Sequence, residues 1–110
     1  MAAEKTHAEL AAELRQRLET TGVIGAGLRT GAMHAGAGEP AELAEPYGSV
    51  ARDIGAASYR VTAAQIDAVR EVAGSDRAAF EVVMSASVGA GLHRWDAAMR
   101  AIREATDAPE

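Results

Sequence analysis

Few residues in this chain are of a type and spacing that could do chemistry. His93 and Arg94 stand beside the only tryptophan, Trp95, at the end of the stretch Met84–Asp96, "MSASVGAGLHRWD". A histidine titrates near neutrality and an arginine offers a fork of donors to a carboxylate. The pair therefore suits the rim of a pocket for a small anion, or simply the polar edge of a helix. His34, in a glycine-rich stretch, is the third weak candidate, as a site residue or a solvated loop histidine; His7 reads as a surface residue at a helix start. Glu81 is a possible base, or a first-turn glutamate favouring the helix dipole, and Tyr47 and Tyr59 read as half-buried helix residues. No two histidines lie three or four residues apart, so no helical two-histidine metal face exists, and no metal or cofactor is expected. The chain has no cysteine, which removes disulfides, thiolate nucleophiles and CxxC redox pairs.

One stretch imitates a cofactor site. Val23-Ile24-Gly25-Ala26-Gly27-Leu28-Arg29-Thr30-Gly31 resembles a dinucleotide loop, and Glu45 falls where a ribose-binding acid would lie. The spacing is GxGxxxG rather than GxGxxG, and a helix precedes it where a strand is required. A glycine-rich connection with a short helix is the expectation.

These residues must be positioned by helices. Thr6–Glu9 has the form of a capping box, and Leu10, Ala11, Leu14 and Leu18 make one helical stripe over a helix at 7–21. Residues 22–46 hold six glycines and two prolines and form the connection, with a short helix near 24–34 and a turn near 40–45. Pro46 suits the first position of the next helix, and Thr62–Gln65 is a second capping box opening another at 63, with Gly74 as its stop. Ser75 or Asp76 caps the last helix. There Phe80, Met84, Val88, Leu92, Trp95, Met99 and Ile102 recur at helical spacing as the main apolar stripe, with Asp96–Arg100 and Arg100–Glu104 as i,i+4 charge pairs. Gly89 and Gly91 thus fall inside a helix, at about 1 kcal/mol each relative to alanine. Ser85, Ala86, Gly89, Ala90 and His93 share a side. Small residues there allow a close helix neighbour, within or between subunits; the alternative is the cleared wall of a small-molecule pocket. No segment alternates with a period of two, so the fold class is all-α, a single helical domain over 1–110.

The 110 residues are 48% apolar but only 4% aromatic, which predicts a thin core and further burial between copies of the chain. Val82, Ala86, Ala90 and Ala97, off the main stripe, add to that expectation. The net charge of -5 argues against nucleic-acid binding. No apolar run is long enough to span a membrane, and the N-terminus lacks an apolar signal core, so the cytoplasm is the default.

From Pro46 onward, "EPYGSVARDIGAASYRVTAAQIDAVREVAGSDRAAFEVVMSASVGAGLHRWDAAMRAI" resembles the small carboxymuconolactone decarboxylase-like proteins, relatives of the AhpD alkylhydroperoxidases. The telling pieces are YRVTAAQIDAVR and SDRAAFEVVMSASVGAGLHRWDAAMRAI. The resemblance covers about half the chain; the N-terminal half matches only in outline. It implies an all-α, AhpD-like fold with a long C-terminal helix that assembles into trimers, hexamers or related homo-oligomers. Redox members use a CxxC pair, a following histidine and a nearby glutamate against peroxides; decarboxylase members act on a lactone acid. Here the usual cysteine aligns near Val61 and the usual histidine near Gln65, so no catalytic residue carries over. Two readings follow. One is a non-redox homo-oligomer binding a small molecule, such as an anion, or a partner protein. The other is an acid–base enzyme of lactone-decarboxylase type, with His93, Arg94 and His34 at a pocket between subunits.

Overall fold

The computed structural model of the chain describes residues 4–107. They form five helices, α1 (His7–Thr20), α2 (Ala26–Gly36), α3 (Tyr47–Ala57), α4 (Ala63–Ala73) and α5 (Asp76–Asp107), with a 3-10 turn at Ser58–Arg60. No strand occurs among the described residues, so the all-α expectation holds there.

The helix ends follow local chemistry. The Thr6 hydroxyl accepts the Glu9 N–H at 3.1 Å. Thr62 and Gln65 close a complete capping box, and the Ser75 hydroxyl accepts the Ala78 N–H at 3.1 Å to open α5. Gly74 ends α4 at φ 92°, in the left-handed region that costs glycine least. Pro46 stands one residue earlier than expected, as the cap of α3 rather than its first residue. The glycine-rich connection holds a full three-turn helix, α2, set two residues later than the spacing suggested.

α2, α3 and α5 form the centre, with α4 against α3 and α5, and α1 lying across α2 and α5. Their packing is unusually close because the contact faces lack side chains. A Cβ on Gly89 would lie 1.9 Å from the Met33 carbonyl oxygen; one on Gly36 would lie 2.1 Å from that of Ala86, and one on Gly55 2.0 Å from that of Gly36. Among the described residues, the largest fully buried side chains are no bigger than valine: Val50, Val69 and Val82.

This packing corrects the reading of α5. Its inward face is the small-residue one, with Ala78, Val82, Ser85, Ala86, Gly89 and Ala90 buried. The large apolar stripe lies beside it and is only partly covered: Phe80 is 56% exposed, Met84 44% and Ile102 56%, while Val88, Trp95 and Met99 are half-buried and Leu92 is buried. Val82, Ala86 and Ala90, expected to need subunit partners, are covered within the chain. The two charge pairs expected along α5 are also absent among the described residues. Asp96 instead meets Arg15 of α1 at 3.3 Å, because an approaching helix can offer a guanidinium that competes with the neighbour one turn away.

The 32 residues of α5 span about 48 Å, against a longest molecular dimension of 54 Å. Beyond Leu92 no described residue of α5 is buried, so its C-terminal half projects from the helical body. The radius of gyration, 15.9 Å, exceeds the ~13 Å of a compact chain of this length for that reason.

Candidate functional site

His34 is not a loop residue. It lies in the last turn of α2, whose end is a Schellman motif. The Gly38 N–H bonds to the Ala35 carbonyl at 3.0 Å and the Glu39 N–H to the His34 carbonyl at 2.9 Å, with Gly38 at φ 80°. That turn folds the chain back and sets the Glu39 carboxylate 3.1 Å from His34 Nδ1. A carboxylate on one ring nitrogen fixes the ring and leaves the other nitrogen to act.

His93 lies across a cleft from this pair. Arg15 and Glu19 of α1, Met33 and His34 of α2, and Gly89 and His93 of α5 all line it. The structure thus brings together two of the three candidate residues, which are 59 positions apart in sequence. The cleft has a volume of about 90 Å³, room for a few waters and well below the ~300–1,000 Å³ of small-molecule sites.

Arg94 points elsewhere. One of its terminal nitrogens donates to the Gly55 carbonyl at 2.8 Å, satisfying a carbonyl in the last turn of α3. It lines a second hollow of about 290 Å³ with His93, Arg52 and the glycines 36, 38 and 55. His93 therefore forms the ridge between two hollows, and Arg94 belongs only to one.

The other candidates have structural partners. Glu81 is buried and accepts the Val23 N–H at 2.8 Å and the Ile24 N–H at 3.3 Å. Arg77, one turn back, donates to it at 3.3 Å. Burial alone would raise its carboxyl, but the donors from Val23, Ile24 and Arg77 together hold it below the ordinary 4.5. It acts as a tie between α5 and the connection before α2. Gly22 stands there because a Cβ would meet the Glu81 carboxylate at 2.4 Å. Tyr47 is half-buried as expected, whereas Tyr59 is 82% exposed.

The dinucleotide-like stretch is a helix start. Gly25 caps α2, and Arg29, buried, donates to the carbonyls of Leu18, Ile24 and Glu19. It closes the C-terminal end of α1. The Glu45 carboxylate accepts the Ser49 N–H at 3.1 Å and pairs with Arg52; hydrogen bonding with Ser49 first, and the Arg52 charge after it, hold its carboxyl below the ordinary value.

Glu39 escaped the sequence reading. The signal that could have found it is Gly38, a helix stop that returns the next side chain to the last turn. Among the described residues no group of three or more histidine or acidic side chains is arranged to hold a metal, and no helix is long and apolar enough to cross a membrane. Comparison of the chain with protein-family models, curated proteins and solved structures finds no match.

Proposed function

We propose that the chain is a non-redox, homo-oligomeric helical protein of the carboxymuconolactone decarboxylase-like kind, which binds a small molecule or a partner protein. The observation that carries this reading is the apolar surface left along α1 and α5. Leu10, Leu14, Phe80, Met84 and Ile102 are all exposed. Two apolar hollows adjoin through Leu14, one reaching Phe80 and Met84 and the other Leu92 and Trp95. Uncovered apolar surface of this kind marks an interaction surface. Thiol chemistry has no side chain here to perform it. Light scattering at micromolar concentration should give a mass of at least two chains. A single 11.4 kDa species that keeps its helical signal and melts cooperatively would overturn the reading.

A second reading, an acid–base enzyme of lactone-decarboxylase type, draws on the convergence of Glu39, His34 and His93 at one cleft. Its test is turnover of a carboxylated lactone that disappears in His34→Gln. Turnover unchanged by that substitution, or no turnover above a protein-free blank, refutes it.

A further inference from the structure

A spacious opening is lined by none of the three candidate residues, although it shares Arg15 and Asp96 with the His34–His93 cleft. It lies between the first turns of α1 and the projecting half of α5, with a volume of about 570 Å³, within the ~300–1,000 Å³ typical of small-molecule sites. Its chemistry is set by His7, Arg15, Trp95, Met99, Arg100 and Arg103.

The opening has a sequence cause. The α1 wall is Ala8, Ala11 and Ala12, side chains too short to fill the gap to α5. The two helices are bridged at its edges. The His7 ring meets Trp95 edge-on, centroids 5.8 Å apart at 82°, and Arg15 meets Asp96 at 3.3 Å. That second bridge takes the carboxylate that Arg100 would otherwise find one turn back on its own helix. Among the described residues, neither Arg100 nor Arg103 makes an ion pair. They sit at i,i+3, where like charges repel, in a chain with 16 acidic and only 11 basic residues. The single acidic lining residue, Asp96, is already matched by Arg15. A hollow lined by uncompensated charge of one sign focuses field and draws a counter-ion.

The apolar part of the lining narrows the class. An indole and a thioether offer a flat, polarisable surface, which a bare inorganic anion would leave wet. Two unpaired guanidinium groups match one anionic head, and arginine matches carboxylate geometry in particular. Polyanions are disfavoured by the net charge of -5. We propose that this groove binds an amphipathic carboxylate, its head held by Arg100 and Arg103 and its flat apolar body laid on Trp95 and Met99. The inference deepens the small-molecule arm of the binding reading and rests on it.

Trp95 is the only tryptophan, so its fluorescence reports the groove directly. Benzoate titrated into the full chain at low salt should change that signal saturably, with half-saturation below about 1 mM. Benzamide, which lacks the charge, and inorganic phosphate, which lacks the apolar body, should each bind at least about tenfold more weakly. The R100Q/R103Q double variant should lose at least about tenfold in benzoate affinity while keeping its helical signal. Ala12→Leu, which fills the groove without touching a charge, should do the same and decides the matter if the double variant fails to fold. A response still linear at about 10 mM benzoate overturns the proposal, as does equal binding of benzamide or phosphate, or unaltered benzoate binding in a folded variant. Light scattering on the same samples separates this outcome from the oligomer reading: an assembled protein deaf to benzoate sinks the groove alone, and a monomer sinks the oligomer alone.

Discussion

Glu81 keeps its charge although α5 buries it, because backbone N–H groups of Val23 and Ile24 replace the water it loses. Glu81→Ala should leave those donors unmatched and cost about 1–3 kcal/mol in urea unfolding. The charge also carries a pH signature. Its folded-state carboxyl lies below the ordinary 4.5 it regains on unfolding. The stabilisation is therefore complete above that value and drains away as pH falls through the depressed one. Unfolding measured across the acid range should fall less steeply for Glu81→Gln than for the parent. Parallel curves for the two proteins would show that the carboxylate contributes nothing through its ionisation.

At the scale of elements, the small-residue face of α5 and the glycines opposite it set how near three helices come. Gly89 and Gly91 make the point as a pair. Both sit mid-helix, where alanine is favoured by about 1 kcal/mol. A Cβ on Gly91 would meet open space, so Gly91→Ala should raise stability by about that amount. A Cβ on Gly89 would meet the Met33 backbone, which cannot rotate away, so Gly89→Ala should lower stability by about 1–3 kcal/mol despite the better helix propensity. Thermal melts that move in the same direction for both would contradict the close approach of α2 and α5.

For the molecule as a whole, several large apolar side chains are left uncovered, Phe80 and Met84 among them. Both lie outside a core made mostly of valines, alanines and isoleucines. The proposed oligomer would bury Phe80 and Met84 against a second copy. The F80E/M84E double variant should therefore keep its helical signal and scatter light as a single chain at micromolar concentration. An unchanged mass would place any subunit contact on another face.

The helix ends and the fold class were legible in the sequence because they depend on neighbours within one turn. Thr6, Thr62 with Gln65, Gly74 and Ser75 each act on backbone groups three or four residues away. The lack of cysteine likewise needs no structure to read. Which side of α5 faces inward did not follow from its sequence. Spacing ranks side chains by hydrophobic size, whereas α2 and α3 seek the face where a backbone can come closest. Much of the candidate site was hidden for the same reason. His34 and His93 were visible as residue types, but their shared cleft arises from the packing of α1, α2 and α5. Arg94 looked free until the end of α3 supplied the Gly55 carbonyl. The pairing of Asp96 with Arg15, 81 positions away, overrode the local rule that would have given it to Arg100. Contacts between distant segments are decided only when whole helices choose their partners, and that choice belongs to the tertiary structure.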